Sequence, residues 1–537
     1  MFVPMSGTAP SPDELPPQGI PSDPEGLRAF VLEIVAERDA AVARCARLEH
    51  LLRVARNAQY GRSSEKLSPD QLEFTLEDVE QAVAAIEAEE DKTSPAKGCE
   101  RAQKRRANRG ALPEHLPRIV ETIPPESTVC PCCGKAMHEI GADESQRLDI
   151  VPAQYRVIVT RRPKFACRAC PGPVTQAPAP ERLIKGGLPT ERLVAHVLAA
   201  KYQWHLPLYR QAQMMAVQGL TLDRSTLAFW VGYAAAELAP VYERLKASLL
   251  SSAKISVDET PAPVLDPGRG RTKTGYFWAI ARDDRPWQGE DPPGVAYTYA
   301  PGRGAVHALK LLDAYTGIVQ CDGYTAYKTL TNRERADRIT LAFCWSHLRR
   351  RFVEIERTSP APTAKEALAR IAQLYAIERN LRGRTAEERR QGRQQHVKPL
   401  VTALKAWFED RLKILSGKSP TADAIRYGLN HWEGLTRFLD DGRIELDTNS
   451  VERAMRPIAL NRKNALFAGC DEGAGAWACL ASLIETAKLN GVDPEAYLID
   501  VLERLVGGWP MARLGELLPW AACFAAALST PKERCAA

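Results

Sequence analysis

Lys254-Ile255-Ser256-Val257-Asp258-Glu259-Thr260 and Gly317-Ile318-Val319-Gln320-Cys321-Asp322-Gly323-Tyr324 decide the reading of this chain. Each is a short run rich in Val and Ile that stops at an aspartate, as a buried strand with a carboxylate at its end would. The first strand is expected over Lys254 to Asp258 and the fourth over Gly317 to Asp322. Between them lie strand patterns at Gly275 to Ala281 and Val295 to Tyr299, then a helix over Ala305 to Tyr315; a fifth strand follows at Arg338 to Phe343. Three strands, then helix, strand, helix, strand and helix, predict an α/β core on a mixed sheet. Open α/β sheets place ligands at strand ends, which makes Asp258 and Asp322 candidate site residues. Side chains alternate along a strand, so Asp258 and Glu259 should face opposite ways, and only one should join Asp322.

A third carboxylate lies 130 positions beyond Asp322. Asp447-Thr448-Asn449-Ser450-Val451-Glu452-Arg453-Ala454-Met455-Arg456-Pro457 begins with helix-capping residues, which sets Glu452 in the first turn or two of a helix. Asn449 and Arg456 share its face. Two readings stand open: a surface Glu–Arg pair, or a helix laid across the sheet that delivers Glu452 to the aspartates. The second would suit phosphodiester chemistry, which two hard divalent cations roughly 3.5–4 Å apart serve well. Mg²⁺ or Mn²⁺ prefers carboxylate oxygen and would offset the repulsion within such a set. The element order is that of an RNase H-like fold. Residues from about 360 to 440, helical over Ala367 to Leu381 and Pro399 to Leu415, would form an insertion between the second and third carboxylates.

Upstream, Cys130-Pro131-Cys132-Cys133 and Cys167-Arg168-Ala169-Cys170 are two C-x-x-C knuckles joined through an expected hairpin over Gln154 to Lys164. Four thiolates from Cys130, Cys133, Cys167 and Cys170 complete a closed, structural zinc site; Cys132 is the spare. Leu208 to Met215, Gln218-Gly219-Leu220 and Asp223 into Trp230 follow helix-turn-helix grammar. Further upstream, Leu27, Val31, Ile34, Arg38, Ala41, Cys45, Leu48, Leu52 and Ala55 fall at heptad-like steps, compatible with a dimerising coiled coil or a helix packed on its own chain. A second helical stretch covers Gln71 to Glu90, and the run Lys97 to Arg109, with Arg105 and Arg106, can meet phosphates. Cys344 and His347 form a C-x-x-H at a helix start, read as packing and positioning because no further ligands accompany it in sequence. Trp345 and Tyr324 are candidates for stacking on DNA or for the core.

Length and composition bound these readings. The chain has 537 residues, 45% hydrophobic and 26% charged, which suits several domains. Its 72 Lys plus Arg against 66 Asp plus Glu leave a net charge of only +6, so any nucleic-acid signal rests on clustering. No apolar run reaches the roughly 18 residues of a membrane span, and no export signal is evident. A cytoplasmic protein with reduced thiols is expected, and its 13 cysteines read as metal ligands before disulfides. Collagen-like and disulfide-rich secreted classes are excluded.

Several stretches together resemble bacterial insertion-sequence-66 family transposases: Val257-Asp258-Glu259-Thr260, Cys321-Asp322-Gly323-Tyr324, Cys344-Trp345-Ser346-His347-Leu348-Arg349-Arg350-Arg351-Phe352, Asn449 through Pro457, Arg462 through Gly469, and Ile484 through Pro494. Tyr60 through Lys66 and Leu112 through Pro117 look like the same family. Thr448 stands where the family commonly has Asn, and past Trp520 the chain departs into an Ala-rich tail. The resemblance implies an RNase H-like transposase with an Asp-Asp-Glu set, Asp258, Asp322 and Glu452, holding two Mg²⁺ or Mn²⁺ ions. It also implies a zinc unit and preceding helices that bind the element's terminal inverted repeats and assist assembly. DNA contacts are expected from Arg105, Arg106, Arg349, Arg350, Arg456 and Lys463. Expected partners are element-end and target DNA, further copies of the chain and accessory proteins of the same element, in a cytoplasmic, nucleoid-associated setting without a membrane.

The expected organisation is a disordered segment over 1–22, a helical and coiled-coil segment over 23–90, a basic linker over 91–118 and a zinc unit over 119–180. A helix-turn-helix-like segment over 181–250 and the first part of the RNase H-like core over 251–359 follow. The helical insertion over 360–440, the catalytic helix and end of the core over 441–490 and a helical tail over 491–537 complete it. Two rival functions are a non-catalytic zinc-containing DNA-binding regulator and a metal-dependent nuclease without strand transfer.

Overall fold

The computed structural model describes residues 23–32, 34, 35, 38, 39, 118, 120, 122, 132, 135, 154–165, 175–266, 271–331, 338–358 and 361–521. The chain divides into two units, Met1–Val151 and Pro152–Ala537. In the first, residues 24–32, 34, 35, 38 and 39 are helical, and Leu27, Val31 and Ile34 of the heptad-like seam are 43%, 50% and 49% exposed. Arg38 of the seam is exposed and pairs with Asp39; the seam from Ala41 on, the helical stretch Gln71 to Glu90, the basic run with Arg105 and Arg106, and the ligands Cys130, Cys133, Cys167 and Cys170 lie outside the described residues.

The second unit is built on a five-stranded mixed sheet. After a two-stranded ribbon of β1 (Lys164–Phe165) and β2 (Thr175–Gln176), the sheet comprises β3 (Lys254–Asp266), β4 (Arg271–Arg282), β5 (Gly294–Ala300), β6 (Gly317–Cys321) and β7 (Ile339–Phe343). Its strand order is β5-β4-β3-β6-β7. The first three strands run as an antiparallel meander, and β6 and β7 add in parallel beside β3. The expected hairpin over Gln154 to Lys164 is not formed as such: residues 154–163 carry no strand, and pairing starts at Lys164 opposite Gln176. The helix expected over Ala305 to Tyr315 ends at Leu311.

β3 is longer than the sequence pattern suggests. Its pairing with β6 stops at Ser256↔Gln320, whereas its pairing with β4 continues to Asp266↔Arg271. Past Ser256 it is therefore an edge, where Pro261 and Pro263 are tolerated because a proline cannot donate to a second neighbour. The open edge is closed by the chain behind residue 465: Ala468 donates to the Pro263 carbonyl at 3.0 Å and accepts from the Leu265 amide at 2.8 Å. At one outer edge of the sheet, β5 is covered by the helix Asp471–Leu489. There Ser482 and Thr486 hydroxyls accept from the Tyr297 and Val295 amides at 2.8 and 3.1 Å, so the backbone groups of an edge strand are met by side chains.

Two apolar cores result. One joins the sheet to the helices Glu191–Tyr202, Arg224–Leu250, Asp471–Leu489 and Pro494–Val506, through residues such as Leu238, Leu245, Ile280, Ala296, Leu480 and Leu498. The other packs Trp345, Leu348 and Phe352 of the helix Trp345–Thr358 against Ile371, Leu404 and Phe408, from Pro362–Leu381 and Lys398–Ile414. These last helices fall where an insertion was expected. Leu208–Val217 and Arg224–Leu250 do make a helix, a turn with Gly219 at φ 82°, and a second helix. That second helix is a 27-residue core element, buried from Leu227 to Leu249 along one face, rather than a short helix free to enter a groove.

Candidate active site

The register of the sheet fixes the two aspartates. Asp258 and Asp322 each lie two residues beyond the last parallel pair, Ser256↔Gln320. They thus occupy matching positions just beyond the point where the pairing of the two strands ends. Asp322 follows the end of β6, but Asp258 does not close its strand, which runs on to Asp266; what ends beside Asp258 is the pairing with β6. Asp258 Oδ1 accepts from the Glu259 amide at 2.9 Å, and Asp322 Oδ1 accepts from the Tyr324 amide at 2.8 Å across the turn at Gly323, whose φ is 85°. Neither aspartate has an ion pair among the described residues.

Glu259 is occupied differently. Its side chain is 1% exposed, Oε1 takes Arg303 Nη2 at 2.6 Å, and Oε2 accepts from the Tyr327 hydroxyl. The Arg303 guanidinium lies over the Tyr324 ring, 3.9 Å from its centroid. Burial, and then the negative charges of Glu259, Asp322 and Glu452, push the Asp258 carboxyl up to about 7, with the Glu259 amide opposing. Burial also raises Glu259, against the hydrogen bonds from Tyr327 and Arg303.

Glu452 arrives on the helix Asn449–Ala465. The segment before it is clamped to the sheet: buried Gln320 donates to the Glu445 carbonyl at 2.6 Å and accepts the Glu445 amide at 3.2 Å, while the Trp345 amide donates to Leu446 O at 3.0 Å. Tyr297 of β5 donates to the Ala454 carbonyl, and Arg462 to the Pro261 carbonyl, which lays the helix along the sheet. Thr448, read as a cap, makes no capping bond; its hydroxyl donates to Glu452 Oε1 at 3.2 Å. The surface pairing of Glu452 with Arg456 is not what forms. The groups facing Glu452 are His347, at 3.8 Å, and Arg350, at 3.7 Å.

The remaining sequence candidates are placed as follows. Arg349, Arg350, Arg456 and Lys463 are exposed. Trp345 is fully buried and donates to Leu435 O at 2.7 Å, so it is a core residue and not a stacking platform. Arg351 lies over the Tyr427 ring at 3.9 Å, and the Tyr427 hydroxyl donates to the Asp322 carbonyl at 2.9 Å. The C-x-x-H that lacked partners in sequence has one in space. Cys344, His347 and Glu452 bring one donor atom each within 4.8 Å of one another. Glu259, Arg303 and Tyr327 were also missed as a set; the adjacent Asp258-Glu259 pair was the only available signal.

The fold and site thus define a mixed-sheet α/β protein with two aspartates in matched register at strand ends and a third carboxylate, Glu452, on a helix laid along the sheet. Comparison with known proteins identifies the group. Residues 186–476, more than half of the chain, match the model described as transposase IS66 family. Residues 127–171 match the zinc-finger binding domain of transposase IS66, a span that contains all four expected zinc ligands. Residues 482–520 match the IS66 C-terminal element, and 47–120 match the model described as transposase C of IS166 homeodomain. The chain belongs to the IS66 transposase family. Similar curated proteins include the uncharacterized protein y4jD of Sinorhizobium fredii (strain NBRC 101917 / NGR234), 45% identical over 509 residues, 93% of this chain and 96% of the relative. From the same organism, y4qI is 40% identical over 94% of this chain and 98% of its own, and y4hP 36% identical over 88% and 87%. Among the described residues, no helix is long and apolar enough to cross a membrane.

Proposed function

We propose that this chain cleaves DNA at the ends of an insertion sequence and joins the freed ends to target DNA, with Asp258, Asp322 and Glu452 as its catalytic carboxylates on an RNase H-like core. The observation that carries the reading is the matched register of Asp258 and Asp322, two residues past their last shared pair, with the start of the Glu452 helix anchored to β6 through Gln320. The donor set fits hard divalent cations: the oxygens are buried or half-buried, alike in charge, and neither aspartate is neutralised by a lysine or arginine among the described residues. Bound Mg²⁺ or Mn²⁺ would activate the attacking oxygen and stabilise the leaving one. The chain's own residues hold the three carboxylates in place: Gln320 anchors the start of the Glu452 helix, Thr448 orients Oε1, and Arg303 with Tyr327 keeps Glu259 from competing. Exposed Arg349, Arg350, Arg456 and Lys463 are positioned to screen DNA phosphates.

In the first displacement water attacks the phosphodiester at an element end, leaving a 5′-phosphate and a 3′-hydroxyl; that hydroxyl then attacks a target phosphodiester, forms the new bond to phosphorus and expels a target 3′-oxygen. The zinc-finger and homeodomain-like segments, with Arg105 and Arg106 in the latter, supply end binding, and self-association brings two ends together. The domain boundaries given from sequence are retained in this reading, except that 47–120 is taken as one DNA-binding segment.

The test is cleavage and joining of element-end DNA in Mg²⁺ or Mn²⁺. Asp258→Ala, Asp322→Ala and Glu452→Gln should abolish both while end binding is kept. Cleavage without joined products in wild type would favour a nuclease, and binding without cleavage a DNA-binding regulator.

A further inference from the structure

Cys344 and His347 flank the start of the helix Trp345–Thr358, and Glu452 sits near the start of Asn449–Ala465. Their donor atoms lie within 4.8 Å of one another, and His347 Nδ1 stands 3.8 Å from Glu452 Oε1. In four-coordinate zinc, bonds of about 2.0–2.3 Å keep ligand atoms roughly 3.3–3.8 Å apart. Side-chain adjustment of about an ångström therefore closes the set around one ion.

A second, independent observation points to a ligand. His347 Nδ1 is buried and has no hydrogen-bond partner, a state that is unfavourable when nothing meets it. Around the sulfur, the Thr448 amide donates to Cys344 Sγ at 3.2 Å and the Ser346 hydroxyl lies 3.0 Å away. Hydrogen bonds of this kind orient a ligating sulfur; burial pushes the Cys344 thiol up, with these hydrogen bonds opposing. The Tyr375 hydroxyl is likewise buried without a hydrogen-bond partner.

We propose that Cys344, His347 and Glu452 form a further metal site, one that takes a single borderline-soft divalent cation of the zinc class. One sulfur, one nitrogen and one carboxylate oxygen are a poor set for Mg²⁺ and a good one for zinc. The site is distinct from the four-cysteine set and shares only Glu452 with the aspartates. It pins the start of the Glu452 helix to the start of the Trp345–Thr358 helix, and three protein ligands leave a fourth position open. The proposal stands apart from the cleavage activity, because metal content reads it directly.

The experiment loads the full-length chain with zinc alone, removes the excess, and measures zinc per chain together with X-ray absorption at the zinc edge. Wild type should hold two zinc ions, with a nitrogen or oxygen shell beside the sulfur shell. Cys344→Ser and His347→Ala should each retain one ion in a sulfur-only shell. The double change Cys167→Ser and Cys170→Ser should retain one ion in the mixed shell. A single zinc with only sulfur neighbours in wild type overturns the proposal, as does an unchanged zinc content in both Cys344→Ser and His347→Ala. Should those variants fail to fold, as judged by circular dichroism, the wild-type shell alone decides in the same two directions.

Discussion

Two places in the 152–537 unit bury carboxylates, and they balance them in opposite ways. In the helical layer, Arg393 grips Glu378 with two bonds of 2.7 and 2.8 Å, and Arg389 reaches Glu445 at 2.6 Å and Glu378 at 3.7 Å. Two guanidiniums answer two carboxylates, and Arg393 also donates to the Phe438 carbonyl at 2.8 Å. At the strand ends, Asp258 and Asp322 have no ion pair among the described residues, and Glu452 meets His347 at 3.8 Å and Arg350 at 3.7 Å, the latter with its own side chain 57% exposed. The first cluster completes its charge balance from within the chain and can serve as scaffold. The second leaves it incomplete, which suits a site whose cations arrive from outside.

The sharpest way to break this contrast is to exchange the consequences. Asp258→Asn should reduce cleavage of element-end DNA by about a thousandfold or more, as expected when a group that stabilises transition-state charge is removed, without loss of stability. Normal nicking by that variant would remove the distinction. Arg393→Met should do the reverse, lowering stability by roughly 3–5 kcal/mol because Glu378 is left buried and unpaired. Denaturant midpoints measure it, and restoration by Arg393→Met combined with Glu378→Leu would sharpen the case. Arg389→Met should cost less, since Nε and Nη1 of Arg389 are already buried without partners.

A smaller effect follows from the Asp258 carboxyl, which burial and its carboxylate neighbours hold at about 7 against an ordinary 3.8. Between those values the folded, metal-free chain keeps a proton that the unfolded chain has released. Its stability therefore falls as pH rises through this window, and the loss is complete above about 7. In EDTA, Asp258→Asn should melt a few degrees above wild type at pH 8, with the gain shrinking toward pH 5; an equal gain at both pH values would contradict it. Smallest of all, Lys463→Ala should weaken DNA binding alike on all sequences and flatten its salt dependence by about one unit of slope, measured by titration at several salt concentrations.

The centres of all five strands were readable as apolar runs, but their ends were not. Pro261 and Pro263 argue against a strand in sequence, and only the early stop of β6 explains why β3 continues through them. Asp258, Asp322 and Glu452 could be singled out as candidates from residue type and position, whereas their surroundings could not. The partner of Cys344 and His347 is Glu452, more than a hundred positions away, and no local spacing encodes that meeting. Likewise, apolar residues at steps of three and four describe a coiled coil and a helix packed on its own chain equally well.

The central claim is that Asp258, Asp322 and Glu452 together seat divalent cations. Anomalous diffraction from crystals of the chain bound to element-end DNA and soaked in Mn²⁺ tests it most directly. The account predicts manganese peaks at roughly 2.0–2.4 Å from oxygens of all three side chains. Peaks confined to other residues, or Glu452 lying out of coordinating reach of any ion held by the two aspartates, would contradict it.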